Sequence, residues 1–93
     1  MEKKTIKPGK DIVASMVQDL KKELQSIVSE GAVELEIDLD GVEMIDSVGL
    51  GAFIATHNSL SKAGGKLSVV KASEDIYNLF LTMRLDKHFS VNK

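Results

Sequence analysis

Residues 33 to 39 read Val-Glu-Leu-Glu-Ile-Asp-Leu, and no other stretch restricts the fold of this chain so tightly. In a strand, successive side chains point to opposite faces. Val33, Leu35, Ile37 and Leu39 therefore share one face, while Glu34, Glu36 and Asp38 share the other. A sheet built around this strand has one packed face and one that meets water or a partner. Helices supplied by the rest of the chain must lie together on the packed side.

The flanking pattern supplies those helices. Thr5-Ile6-Lys7 reads as a short strand stopped by Pro8-Gly9. Asp11 is placed to cap a helix whose apolar residues, Ile12, Met16, Leu20, Leu24, Ile27 and Val28, recur every three or four positions, and Gly31 ends it. A second helix is expected from Leu50 to Ala63, with Leu50, Phe53, Ile54, His57 and Leu60 on one side and Gly64-Gly65 as its stop. Lys66 to Ala72 forms a third strand, and Ser73 caps a third helix with Glu74 and Asp75 in its first turn. Ile76, Leu79, Phe80 and Met83 make that helix's buried stripe, and Phe89-Ser90-Val91 is a last short strand. Strand and helix alternate three times before the final strand. That order implies an α/β fold, a mainly parallel four-stranded sheet with right-handed crossovers and helices on one face. Residues 1–93 are expected to form a single domain, without repeats or linkers.

Composition acts chiefly by exclusion. Without cysteine there is no disulfide frame or thiol chemistry, and His57 and His88 share no pairing motif, so neither a metal site nor a cofactor is expected. The uncharged stretch from Ser47 to Ser61 is too short and too mixed to span a bilayer. Met1-Glu2-Lys3-Lys4 lacks the apolar segment of a secretion signal, so the chain is expected in the cytoplasm, away from membranes. A net charge of −2 argues against nucleic-acid binding. Lys3, Lys4, Lys7 and Lys10 crowd the N-terminus and read as solvated charges, with a contact to an acidic partner surface as the alternative.

The chemistry gathers at Asp46-Ser47-Val48-Gly49-Leu50, where strand gives way to helix. In a parallel sheet the loops leaving the carboxyl ends of the strands converge on one rim. Here they carry Lys10 and Asp11, then Val42 to Ser47, then Lys71 to Ser73, which sets Ser47 beside Asp11. A hydroxyl at a helix N-terminus faces free backbone N–H groups that can hold an added phosphate. Two explanations of Ser47 compete. As an N-cap it contributes about 0.5 to 2 kcal/mol over alanine. As a phosphate acceptor it makes the protein a switch. Gly49 and Gly51 favour the switch, because each costs roughly 0.8 to 1 kcal/mol in a helix, as though backbone must approach a partner or a phosphate. Asp46 is either a turn former or an acidic neighbour that orients the hydroxyl.

The other polar residues have plainer readings. Glu34, Glu36 and Asp38 are the wet face of a strand, Asp40-Gly41 is a turn, and His57 is a half-buried helix histidine. Thr56 and Ser59 are helix-surface hydroxyls with a secondary claim as phosphorylation sites, and Leu81 falls off the main stripe toward a partner surface. No nucleophile, base and orienting group occur together, so no enzyme is expected. A nucleotide sensor would want a P-loop Gly-Lys motif, which is missing. A phospho-aspartate receiver using Asp46 would want an acidic pair after the first strand, where this chain has Lys10-Asp11.

From Val33 to Val91 the chain resembles a STAS domain, the module of bacterial anti-sigma factor antagonists and of sulfate transporter tails. The matching residues are Ile45-Asp46-Ser47-Val48-Gly49-Leu50-Gly51 after an acidic strand, Ala63-Gly64-Gly65 before the next, then Ile76-Tyr77-Asn78-Leu79-Phe80 with Met83-Arg84-Leu85 in the last helix. Gly9-Lys10-Asp11 resembles the family's loop before its first helix. The resemblance implies that Ser47 is phosphorylated by a partner that is both serine kinase and anti-sigma factor. The unmodified antagonist would bind that partner and free the sigma factor, and a serine phosphatase would reset the cycle. It further implies that Asp11 and Asp46 are acidic neighbours of Ser47 and that Gly49, Leu50 and Gly51 belong to the partner-binding surface. The alternative within the family is a phosphorylation-independent binding or sensing module of a chemotaxis or two-component system. One departure stands out: family members begin with a two-strand hairpin, and only ten residues precede the first helix here. A truncated N-terminal hairpin leaves a sheet edge open to a homodimer or a partner strand.

Overall fold

The computed structural model describes residues 3–31 and 34–93, so the reading of Val33 as the first residue of the acidic strand lies outside the described residues. The elements are β1 (Lys3–Ile6), α1 (Ala14–Ser29), β2 (Glu34–Asp38), α2 (Ser47–Lys62), β3 (Lys66–Val70), α3 (Glu74–Thr82), a 3₁₀ turn (Leu85–Lys87) and β4 (Ser90–Val91). All pairings are parallel, in the spatial order β1-β2-β3-β4. Each crossover therefore steps one place in the same direction, and a constant right hand puts all three helices on the same face.

The alternation in β2 has its expected consequence. Leu35 and Ile37 are fully buried, Leu67 and Val69 of β3 lie beside them in register, and Glu34, Glu36 and Asp38 are half-buried on the other side. Leu20 and Leu24 of α1, Phe53 and Leu60 of α2 and Ile76 and Phe80 of α3 close over the packed face as one cluster. Phe80 sits at its centre, with its ring edge-on to Phe53 at 5.8 Å and to Phe89 at 6.1 Å.

The outer face is laced by charge pairs. Lys3 meets Glu36 at 3.0 Å, Lys7 meets Asp40 at 3.4 Å and Lys71 meets Asp38 at 3.6 Å. The N-terminal lysines are thus not simply solvated: Lys3 and Lys7 neutralise the acidic side of the sheet. The hydrogen bond from Lys3 to Glu36 holds the ammonium above its ordinary pKa. The Asp40-Gly41 turn forms as expected, with Asp38 accepting from the Asp40 N–H at 2.9 Å and Gly41 at φ 86°.

Several expectations need correcting. Asp11 does not cap α1, which starts three residues later and follows Val13, with no cap from a side chain of its own segment. Ile12, expected inside that helix, precedes it and is wholly buried. α2 starts at Ser47 rather than Leu50, and Ile54 is 38% exposed, off the packed side. Thr56 is not a surface hydroxyl: it is buried, and its Oγ1–H donates to the Ala52 carbonyl at 2.8 Å. α3 ends at Thr82, since Arg84 takes the left-handed conformation at φ 59° and turns Leu85 into the core. Met83, expected in the buried stripe, is left 52% exposed, and Arg84 and Leu85 lie beyond the helix.

Candidate functional site

The parallel sheet brings the segments after β1, β2 and β3 to one rim, and the first two are zipped together there. The Ile12 N–H donates to the Met44 carbonyl at 2.9 Å, and the Asp46 N–H donates to the Ile12 carbonyl at 3.1 Å, on either side of a parallel bridge between Ile12 and Ile45. Asp11 fixes the same loop, its Oδ1 accepting from the N–H groups of Glu43 at 2.9 Å and Met44 at 3.2 Å. Asp11 therefore does reach the loop that carries Ser47, as a clamp on its backbone.

Asp46 resolves the choice between turn former and acidic neighbour in a third way. Its Oδ1 accepts from the Gly49 N–H at 2.9 Å, capping α2, and its Oδ2 accepts from the Ala14 N–H at 2.9 Å, capping α1. One carboxylate satisfies orphan donors at two helix N-termini, and both dipoles favour its negative charge. The bonds from Gly49, then Ala14, hold the Asp46 carboxyl below the ordinary aspartate range. A carboxylate so engaged on both oxygens has a structural employment that a phospho-aspartate acceptor would have to give up.

Because Asp46 is the cap, Ser47 is not. Ser47 is the first residue of α2, it is exposed, and its hydroxyl makes no hydrogen bond among the described residues. Exposed apolar side chains occur close to it in sequence on both sides, Met44 at 51% and Val48 at 50%. Along α2, Ser47, Gly51, Ile54 and Asn58 are all exposed at helical spacing and form one outward stripe. The two glycines part company. A Cβ on Gly49 would lie 2.8 Å from both the Ile12 carbonyl oxygen and its Cγ2, so Gly49 is required by the packing of the α1 entrance. A Cβ on Gly51 would meet nothing within 4 Å. Gly49 and Leu50 are buried beneath the rim, whereas Gly51 opens onto the surface with Ser47.

The STAS domain family model matches residues 4–93 of this chain. The chain belongs to the STAS domain family. Among curated STAS relatives, the anti-sigma-B factor antagonist of Bacillus subtilis is 38% identical over 61 residues, a stretch covering 66% of this chain and about half, 55%, of that protein's length. The anti-sigma-B factor antagonist of Staphylococcus epidermidis is 30% identical over 88 residues, 95% of this chain and 82% of the relative. Solved structures share the fold. A Thermotoga maritima protein described as an anti-sigma factor antagonist superposes with a TM-score of 0.89 at 23% identity, over 96% of this chain and 77% of its own. The anti-sigma factor antagonist SpoIIAA, in its unphosphorylated form, gives 0.76 at 12% identity, over 94% and 76%.

Proposed function

We propose that this STAS domain is an anti-sigma factor antagonist-like partner-switching protein, and that Ser47 is its phosphorylation switch. The observation that carries the proposal is the position of Ser47: exposed, without a hydrogen-bond partner among the described residues, and flanked in sequence by the exposed Met44 and Val48. The unmodified protein docks a serine kinase/anti-sigma factor on this stripe, with Ser47 and Gly51 in contact and Gly49, Leu50, Asp11 and Asp46 holding the rim in shape. The names of the curated relatives support an anti-sigma factor as the partner.

The electrostatics give the switch its direction. A phosphate on Ser47 adds about −1.5 to −2 charge next to the already ionised Asp46. Like charges forced together in an interface cost several kcal/mol, and reversing occupancy from 1:99 to 99:1 takes about 5.5 kcal/mol. Phosphorylation thus releases the partner, and a serine phosphatase restores binding. Such a protein works in the cytoplasm.

Ser47→Ala is expected to bind the cognate kinase constitutively, and Ser47→Asp to lose it while remaining folded, since an acidic residue suits a helix N-terminus. Equal binding by both variants, measured by calorimetry, contradicts the charge switch and favours a phosphorylation-independent module. The outer edge of β1, unpaired among the described residues, offers a second contact by strand addition. That edge can take a second copy of the chain or a partner strand. A dimer in sedimentation at micromolar concentration favours self-pairing, and a monomer favours a partner strand.

A further inference from the structure

Between α1 and α2 lies a crevice of about 260 Å³ whose lining is divided by chemistry. Leu24 is wholly buried and Ala52 nearly so, and with Val28 and Ala55 they make its apolar part. Thr56 adds no free hydroxyl, because its Oγ1–H donates to the Ala52 carbonyl. Lys21 is the one charged side chain on the lining, and Gln25, Ser29 and Ser59 complete it.

Lys21 is a cation without compensation. It is half-buried, and its ammonium makes no ion pair or hydrogen bond among the described residues. Its neighbours three and four places along α1 are Val17, Gln18, Leu24 and Gln25, so no carboxylate stands on its side of the helix. A half-buried lysine lays its methylene stem on apolar surface and carries its charge to the edge. Apolar walls with a single positive charge beside them match an anion that carries an alkyl tail. The lining offers no ring for a base to stack on and no second cation for a polyphosphate, which sets nucleotides aside. Size narrows the class further. A cavity of about 150 Å³ holds the six carbons of benzene, so one of about 260 Å³ holds about ten non-hydrogen atoms.

We propose that the crevice between α1 and α2 binds a straight-chain monocarboxylate of about eight carbons, which with its two oxygens fills that space. The alkyl chain lies against Leu24, Val28, Ala52 and Ala55, and the carboxylate meets Lys21. Binding joins α1 to α2. The lining does not include Ser47, and the site stands or falls apart from the phosphorylation switch.

The experiment is a titration of the whole ¹⁵N-labelled chain with sodium octanoate, kept below its self-association and followed by NMR, with octan-1-ol and octylammonium chloride as head-group controls. One octanoate per chain is expected, with shifts centred on Leu24, Val28, Ala52 and Ala55. Each methylene added from hexanoate to octanoate should tighten binding about fourfold. Lys21→Glu should weaken octanoate about fivefold, the upper end for an ion pair that reaches solvent, and leave octan-1-ol unchanged. Ala55 is exposed and leucine suits a helix, so Ala55→Leu should fold normally by circular dichroism and yet block octanoate by filling the crevice. No saturable binding, shifts centred elsewhere, octylammonium bound as tightly as octanoate, or unchanged octanoate affinity in either variant overturns the assignment.

Discussion

Asp46 and Ser47 are neighbours with opposite employments, and the division between them makes a switch workable. Asp46 spends both carboxylate oxygens on the N-termini of α1 and α2. Ser47, relieved of capping, is exposed with no hydrogen-bond partner for its hydroxyl among the described residues, as the proposed switch requires. Asp46 is held below its ordinary pKa by these bonds, so its stabilising effect is complete above the unfolded-state value and is lost as pH falls through the lower folded-state value. Asp46→Asn keeps an acceptor for one helix but places an NH₂ group against the other. It should therefore be less stable than the parent at pH 7 in urea denaturation, and the gap should begin to narrow below about pH 4, where the carboxyl of the unfolded chain takes up its proton, and close as pH falls through the lower folded-state value. A gap that is constant with pH means the charge of Asp46 contributes nothing.

The two glycines divide similarly. Gly49→Ala forces a methyl against Ile12 and Ile45 and should cost about 1–3 kcal/mol, as overpacked cores do. Gly51→Ala meets open space and should gain about 0.8–1 kcal/mol of helix propensity. If the exposed stripe is the docking surface, Gly51→Ala is also more stable yet weaker in partner binding, a combination that a purely structural glycine does not produce. Nothing in local sequence separates these residues. Both glycines look alike in a helix start, and only the position of Ile12, folded in from the preceding segment, makes one obligatory.

At the scale of elements, the sequence was legible wherever a rule is local. The alternation of residues 34–38, the Ser73 cap, whose Oγ accepts from the Ile76 N–H at 3.3 Å, and the Asp40-Gly41 turn all emerged in place. Boundaries failed where the partner is distant in sequence. The cap of α1 comes from Asp46, thirty-two residues on, so Asp11 could look like the cap and be a loop clamp instead. Arg84 in the left-handed region ended α3 early without a glycine to announce it, which is why Met83 was misplaced. In α2 the core stripe was legible at Leu50, Phe53 and Leu60 but not at Ile54, which faces outward, or at the buried Ala52 and Thr56, and Phe53, fully buried against Phe80, is its most consequential member. Phe53→Ala should cost about 3–5 kcal/mol in denaturant unfolding, and a loss under about 1 kcal/mol would mean that α2 does not pack on the sheet as described.

For the whole molecule, topology converts a sequence of alternating strands and helices into a packed face, a polar face and a rim of loops. Sequential parallel order with one crossover hand puts the helices together, leaves a polar sheet face stitched by Lys3, Lys7 and Lys71, and collects the site loops at the carboxyl rim. The Ser47 rim could be anticipated from that topology, because rim position follows from strand direction alone. The crevice between α1 and α2 could not, since no spacing motif links residues on different elements that converge only after the core forms.

The central claim is that Ser47 carries phosphate in the cell and that the phosphate governs partner binding. Its most direct test is intact-mass measurement with site mapping on the protein isolated from its native host under several growth conditions. A fraction singly phosphorylated at Ser47, varying with growth condition and missing from Ser47→Ala, is the predicted result. Phosphate mapped to another residue, or none under any condition, contradicts the switch.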